Sequence, residues 1–544
     1  MVVFASKLPH LPIPDMNVVE FVLSECEKAC SPTHQVFVDS STGRSLTASE
    51  LKAYAFRFAA GLRRTIGLVA GDFVAVFAPN SINFPIAAYG IVASGAVCAS
   101  ASPTYGPDEL AHYIFNTKCK VIVVGDGLMP TVKEALVLTE HAVEHILLMD
   151  EGNSHCEGSI FNVMSDDDAN PFVDGQPSDF VTAPAYICSS SGTTGKPKGV
   201  ILTHRNLIAN AMQINCLKEL DLPTDPSQDQ FDISLGVSPF YHASGLSYLL
   251  HSSGGKIVVV GSYTLESLLK TIHDYRISFA LATPFTVCFL ARDPHVDQYD
   301  LSSLKTVVCG AAVLNPGLIE ATEKRLPGIK VLQCYGMTEM SPMIAMLATS
   351  HNSPGSVGVL FSNCESKVVD DDGNELDVGM QGELCFRGPN AMLGYLNNPG
   401  ATRDTFDSDG YLHTGDIGYV DKDGFIYITD RKKELIKYMG FPVSPSELEG
   451  ILAEHPDIED AAVMSVYDDS QATEVPKGYF VLKNRGSSDD NARAQAVVEW
   501  LHARVADYKK LRGGYSIVDR IPRNQVNKIT RNTLRNIGHV SISH

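Results

Sequence analysis

Seven short runs dense in Val, Ile, Leu and Ala punctuate the first two thirds of the chain: DFVAVFAP from Asp72, KVIVVGD from Lys120, HILLMD from His145, KIVVVG from Lys256, SFALATP from Ser278, KTVVCG from Lys305 and KVLQCYG from Lys330. Helix-like segments lie between them, and that alternation predicts βαβ units feeding mainly parallel sheets. A polar stretch over 151–179, rich in Asp, Asn, Ser and Gly, reads as a connecting loop. Past residue 355 the pattern changes to GELCFRG and GYVDKDGFIYITD, where Asp421-Lys422-Asp423-Gly424 is a hairpin turn. These runs predict a small antiparallel barrel or sheet. A compact α+β pattern follows DRKKELIKYMG, with strands in DAAVMSVYD and GYFVLKN and a helix over 497–507. The expected class is α/β: a large N-terminal domain over 1–430 of stacked βαβ sheets plus a small β-barrel, a hinge at 430–433, and a small mobile α+β lid over 431–544.

A chain of 544 residues exceeds what one compact core holds, in keeping with that division. Apolar content of 44% and charged content of 19% describe an ordinary globular protein, and a net charge of −20 argues against nucleic acid as a partner. The charge is uneven: residues 431–544 carry 17 Lys and Arg against 15 Asp and Glu, the first 430 carry 26 against 48. Such a tail is either a solvated basic face or a lid closing over a nucleotide phosphate. Twelve cysteines show no CxxC spacing and read as reduced core residues of an intracellular protein. The N-terminus lacks a signal-peptide pattern, the uncharged stretch 84–101 is too rich in Ala, Gly, Ser and Pro for a membrane span, and the last residues are not Ser-Lys-Leu. A cytoplasmic location is expected.

The densest chemistry lies in CSSSGTTGKPKGV at 188–200. Glycines Gly192 and Gly195 let successive backbone N–H groups face an anion. The hydroxyls of Ser190, Ser191, Thr193 and Thr194 add donors, and Lys196 and Lys198 add charge. A tight connection is the bland alternative. A Walker A loop is excluded, since only two residues separate the glycines and Pro197 follows Lys196. The run therefore points to a polyphosphate.

SSSGTTGKPKGVILTH resembles the phosphate loop of the adenylate-forming enzymes, the superfamily of acyl-CoA and aryl-CoA synthetases, firefly luciferase and peptide-synthetase adenylation domains. Its further blocks occur in order over nearly the whole chain; SLTASEL and SGAVCASASPTYGPDEL look like the 4-coumarate:CoA ligase and luciferase branch. The resemblance implies that His242, in PFYHASG, orients the acyl carboxylate, and that Gly310, Ala311 and Ala312 line the adenine. In QCYGMTE it implies that Tyr335 and Gly336 lie at the adenine, Thr338 bonds the α-phosphate and Glu339 holds Mg²⁺. Asp416, in YLHTGD, and Arg431 become the ribose contacts. IPRNQVNKITRNTL resembles the block carrying the adenylation lysine, here Lys528, with Asn527 where the family has glycine. LIKYMGFPVSPSELE supplies Lys437 and Gly440 for thioester formation, with Met439 and Pro442 replacing a usual lysine and glutamine.

The implied activity is a two-step ligase that uses ATP, Mg²⁺ and coenzyme A to turn a carboxylic acid into its acyl-adenylate and then its thioester. By the same match the acyl pocket involves Tyr241, Ser244, Tyr248, Cys334, Pro342 and Met343. Cys334 stands where the 4-coumarate ligases have Gly and narrows that pocket, which suits an aryl or short to medium acyl acid. The alternatives are an enzyme loading a carrier-protein thiol, a luciferase-type oxygenase, and a degenerate protein that binds nucleotide or acyl ligand without turnover. A bland reading competes at several positions: a core histidine at His242, a strand exit at Gly310, a turn-capping aspartate at Asp416.

Overall fold

The computed structural model describes residues 3–150, 158–166, 170–172, 174–190, 198–221, 232–250, 255–261, 263–311, 314, 316–348, 353–432, 434–438, 441–468, 473–486, 489–524, 528–531 and 533–534. All seven apolar runs form strands. They are divided between two sheets. One joins Pro184–Ser190, Val97–Ala101, Phe73–Phe77, Val121–Val124 and His145–Leu148 in parallel, with Lys198–Thr203 and Gly394–Tyr395 antiparallel at one edge. In the other, six parallel strands from Gln35–Asp39 to Lys330–Gly336 continue into antiparallel Met343–Met346 and Val359–Leu360.

The uncharged stretch 84–101 finds its place between layers. Every residue of the helix Phe84–Ala93 is buried, as is every residue of the strand Val97–Ala101. An element wet on no side needs no polar stripe. Among the described residues no helix is long and apolar enough to cross a membrane.

The antiparallel region is a five-stranded sheet ordered Phe4–Ala5, Glu365–Val369, Gly382–Arg387, Leu412–Val420, Ile426–Arg431. Its last two strands are the hairpin expected around Gly424, whose φ of 92° suits glycine. The chain then enters the small domain, where Ile458–Asp468, Thr473–Leu482 and Tyr515–Ile517 form a sheet over a separate core containing Leu448, Val463, Phe480 and Val497. Its helix spans Asp490–His502 rather than 497–507. The buried face Ala494, Val497, Val498 and Leu501 sets those bounds, and Asp507–Lys509 is a separate 3₁₀ turn.

Candidate active site

The phosphate run joins two strands. Ser190 and Lys198 are register partners of the antiparallel pair, and the helix His204–Asp221 begins only after the second strand. Of the predicted phosphate ligands, Ser191, Gly192, Thr193, Thr194, Gly195 and Lys196 lie outside the described residues, as do Ala312 and Gly440. At the mouth of the loop the Ser190 hydroxyl is buried and has no hydrogen-bond partner among the described residues. A buried orphan hydroxyl is costly unless a ligand satisfies it, which fits a bound phosphate oxygen. Lys198 lies with Nζ 4.7 Å over the Tyr395 ring, and the Tyr395 hydroxyl donates to Glu339 Oε1 at 2.8 Å.

Tyr395 thus links the phosphate loop to the metal candidate, a connection the sequence did not disclose. Glu339 is buried in the turn Thr338–Met340, and Thr338 beside it is buried as well. Among the described residues no cluster of three or more His, Cys, Asp or Glu forms a metal site. A single carboxylate suits Mg²⁺, whose other ligands in such sites are phosphate oxygens and water.

The strand Lys330–Gly336 carries the nucleotide and acyl groups side by side. Gln333 accepts from the Leu314 N–H at 3.0 Å and donates to the Ser356 carbonyl at 3.0 Å, fixing the segment that begins at Gly310. Ala311 there holds a left-handed φ of 74°. A Cβ on Gly310 would stand 2.8 Å from Cys334 Sγ, so the thiol sits directly against that glycine. Gly336 has still less room: a Cβ would lie 2.0 Å from the Pro342 carbonyl oxygen. Gly336 pairs with Met343, whose carbonyl is held by Asn210 at 2.8 Å and Asn390 at 2.9 Å. Pro342 and Met343 thus close on Gly336 at the strand end, and Cys334 lies two residues earlier, opposite Met346.

The ribose candidates also meet. Tyr335 donates its hydroxyl to Asp416 Oδ2 at 2.6 Å, while Arg431 Nε lies 3.3 Å from Oδ1. Asp416 and Arg431 face each other across the hairpin, which brings residues fifteen apart together. Glu383, which sequence reasoning passed over, holds this hairpin from the next strand. Its Oε1 accepts from the Gly415 N–H at 3.0 Å, and its Oε2 lies 3.2 Å from Lys432 Nζ and 3.5 Å from His413 Nδ1. Burial pulls this carboxyl up, but His413 and Lys432 outweigh it and hold it at about 2. A glutamate inside the otherwise apolar GELCF was the available signal, because a charge in such a strand needs partners.

On the acyl side, His242 Nδ1 accepts from the Ser244 N–H at 3.3 Å and lies 2.9 Å from Ser244 Oγ. A backbone N–H can only donate, so the ring proton resides on Nε2. Burial, and then the charge of Lys528, push this imidazole down to about 4, so it is neutral at pH 7. The Tyr241 carbonyl is anchored by Ser100 Oγ at 2.8 Å. The side chain of Tyr248, in the turn Gly245–Leu250, lies outside the described residues.

Lys528 reaches this site from the small domain. Its backbone is clasped by Asn524, whose side chain accepts from the Lys528 N–H at 2.9 Å and whose N–H donates to the Lys528 carbonyl at 2.8 Å. Burial and then Arg431 push its ammonium down to about 8, against the opposing pull of Asp416, Glu339 and Glu434. Lys437 is placed differently: it is exposed on the strand Ile436–Tyr438, with its backbone tied to Glu474 and Thr473. The arrangement joins the Tyr335–Asp416–Arg431 cluster, the neutral imidazole of His242 and the Lys528 ammonium from the small domain.

The sequence pattern of the AMP-binding enzyme family matches residues 26–396, and that of the AMP-binding enzyme C-terminal domain matches residues 447–528. The chain is 36% identical over 546 residues to 4-coumarate–CoA ligase 3 of Oryza sativa subsp. japonica, covering 98% of this chain and 95% of that one. It is 32% identical over 548 residues to the probable 4-coumarate–CoA ligase 1 of Dictyostelium discoideum, covering 98% and 97%. Its fold matches ATP-bound MatB from Rhodopseudomonas palustris with a TM-score of 0.82 and 25% identity, over 96% of this chain and 99% of that one. An anthranilate CoA ligase, AuaEII, in complex with anthranoyl-AMP matches in fold at a TM-score of 0.84 and 23% identity, over 97% and 98%. The chain belongs to the adenylate-forming family of AMP-binding enzymes, on its acid–thiol ligase branch.

Proposed function

We propose that this protein is an ATP-dependent carboxylic acid:CoA ligase acting on an aryl or short to medium acyl acid. The observation that carries the reading is the Lys528 ammonium, delivered by the small domain into the field of Arg431, Asp416 and Glu339 and beside His242. In the first step a carboxylate oxygen attacks the α-phosphorus of ATP and pyrophosphate leaves. Two anions must approach and charge builds on the phosphorane, so a fixed cation there contributes on the order of 3 kcal/mol, about a hundredfold in rate. The neutral His242 Nε2–H donates to the acid and orients it. Thr338 contacts the α-phosphate, the phosphate loop from Ser190 to Lys198 restrains the leaving phosphates, and Asp416 with Arg431 holds the ribose. A Mg²⁺ ion held at Glu339 supplies charge neutralisation on the phosphates.

In the second step the lid, residues 431–544, rotates about 430–433, withdrawing Lys528 and bringing Lys437 and Gly440 to the site. The CoA thiolate then attacks the acyl carbonyl and AMP leaves. The thiol of Cys334 against Gly310, together with Met343, closes the floor of the acyl pocket and favours a compact acid. Relatives named for 4-coumarate support an aryl acid. The test is a panel of 4-coumarate, benzoate, anthranilate and hexanoate, read by pyrophosphate release and by mass spectrometry of the thioester. An aryl acid should release pyrophosphate and give acyl-CoA. Release without acyl-CoA, relieved by a phosphopantetheinylated carrier protein, would transfer the assignment to carrier loading, and no release with any acid would leave only a binding protein.

A further inference from the structure

The loop that carries Lys528 is tied down at both ends by ion pairs. On one side Arg523 Nη2 lies 2.7 Å from Asp460 Oδ1, and the Thr530 N–H donates to the Pro522 carbonyl at 2.9 Å. On the other side Arg531 stands three residues beyond Lys528, with its side chain only 17% exposed. Its Nη2 lies 2.9 Å from Glu449 Oε1 and 3.4 Å from Glu434 Oε2. Glu449 also accepts from the Val463 N–H at 2.8 Å, which fixes it to the small-domain sheet. Glu434 sits just past the hinge, and it lies 4.0 Å from Arg431 Nη1 as well as within the field felt by Lys528.

Glu434 is thus addressed by three cations, and only one of them is the adenylation lysine. We infer that Arg531 is a positioning residue for the adenylation step, occupying Glu434 so that this carboxylate does not capture the Lys528 ammonium. This rests on the assignment of Lys528 made above. Without Arg531, Glu434 keeps only Arg431 at 4.0 Å, and its pull on Lys528 at the root of the lysine loop is no longer offset by the guanidinium. The ammonium is then drawn from the α-phosphate toward the hinge, and a displacement of about 1 Å is enough to lose much of an electrostatic contribution to the transition state. Glu449 does not become a bare buried anion in that variant, because burial already raises it to about 7 against the pull of Arg531 and it can take up a proton.

The variants that test this are Arg531→Met, Arg531→Lys and Glu434→Gln, assayed with whichever of 4-coumarate, benzoate, anthranilate and hexanoate gives the largest pyrophosphate release. Adenylation is read as acid-dependent ATP–pyrophosphate exchange, and thioester formation as acyl-CoA made from supplied acyl-adenylate and CoA. Arg531→Met should lower exchange about tenfold and leave thioester formation within about twofold, with Arg531→Lys in between. Adding Glu434→Gln to Arg531→Met should restore part of the lost exchange, and adding Arg531→Met to Lys528→Ala should cost nothing further. A general structural role predicts that both half-reactions fall together, that the losses add to that of Lys528→Ala, and that Glu434→Gln deepens the defect. Any of those results overturns the inference. If Arg531→Met does not fold, Arg531→Lys with and without Glu434→Gln carries the same comparison. Unchanged exchange in Lys528→Ala alone would instead overturn the assignment of the lysine itself.

Discussion

The role proposed for Lys528 needs its ammonium form, yet its surroundings make protonation expensive. Burial and the neighbouring Arg431 bring its ammonium down to about 8, so raising the pH through 8 removes the charge that adenylation needs. The second-order constant kcat/KM reports groups of the free enzyme and should fall tenfold per pH unit above about 8. The kcat for adenylation should hold to higher pH, because the triphosphate favours the charged form. His242, at about 4, is already neutral and contributes no limb between pH 6 and 9. Lys528→Arg should abolish the alkaline limb of kcat/KM while lowering the rate, since a guanidinium stays charged throughout. Stopped-flow or exchange measurements across pH 6–10 decide it: a limb that persists in Lys528→Arg belongs to another group.

Two strands and Lys432 at the hinge share one carboxylate at Glu383. The folded carboxyl sits at about 2, below its unfolded value, so it contributes stability that is present above about pH 4.5 and lost as pH falls toward 2. Glu383→Gln keeps an acceptor for the Gly415 N–H but no charge for Lys432 and His413. The loss should be about 2 kcal/mol at pH 7 after allowance for solvent screening, should shrink on acidification to pH 3, and should come with a raised KM for ATP through the slackened Asp416–Arg431 hairpin. Urea unfolding at the two pH values, alongside ATP titration of the rate, checks both parts. Legibility follows the same division between local and distant causes. The apolar runs from Phe73 to Gly336 were readable because burial on both faces leaves a local mark. The blocks holding Tyr335, Glu339, Asp416 and Lys528 were readable as a family resemblance, and the structure brings Tyr335, Asp416 and Arg431 together. The partners Glu383, Tyr395, Glu434 and Arg531 were not readable, because each acquires its role only when distant strands or a loop close on it; Tyr395 and Glu339 are 56 residues apart. The strand after the phosphate loop was hidden for a different reason: Lys198–Thr203 is short and runs directly into the helix from His204, so its own pattern does not stand apart.

At the scale of the molecule, two cores with their own sheets are bridged by polar contacts, among them Arg292 Nη1 to the Ala453 carbonyl at 2.8 Å. Polar contacts between domains yield to relative motion, which the proposed rotation of the lid needs. The small domain presents Lys528 to the nucleotide groups while Lys437 stands exposed on a different strand. If one face serves each chemistry, the two lysines must be separable by half-reaction. Lys528→Ala should lower acid-dependent ATP–pyrophosphate exchange about a hundredfold and leave thioester formation from supplied acyl-adenylate within a few-fold. Lys437→Ala should do the reverse, keeping exchange and slowing acyl-CoA formation about tenfold. Overall turnover fails in both, so only the half-reactions discriminate. A mixture of the two variants should form acyl-CoA only by way of released acyl-adenylate, and an excess of unlabelled acyl-adenylate should dilute that label. If both variants lost the same half-reaction, the lid would not be exchanging faces, and a fixed site with two lysines would have to replace the rotation.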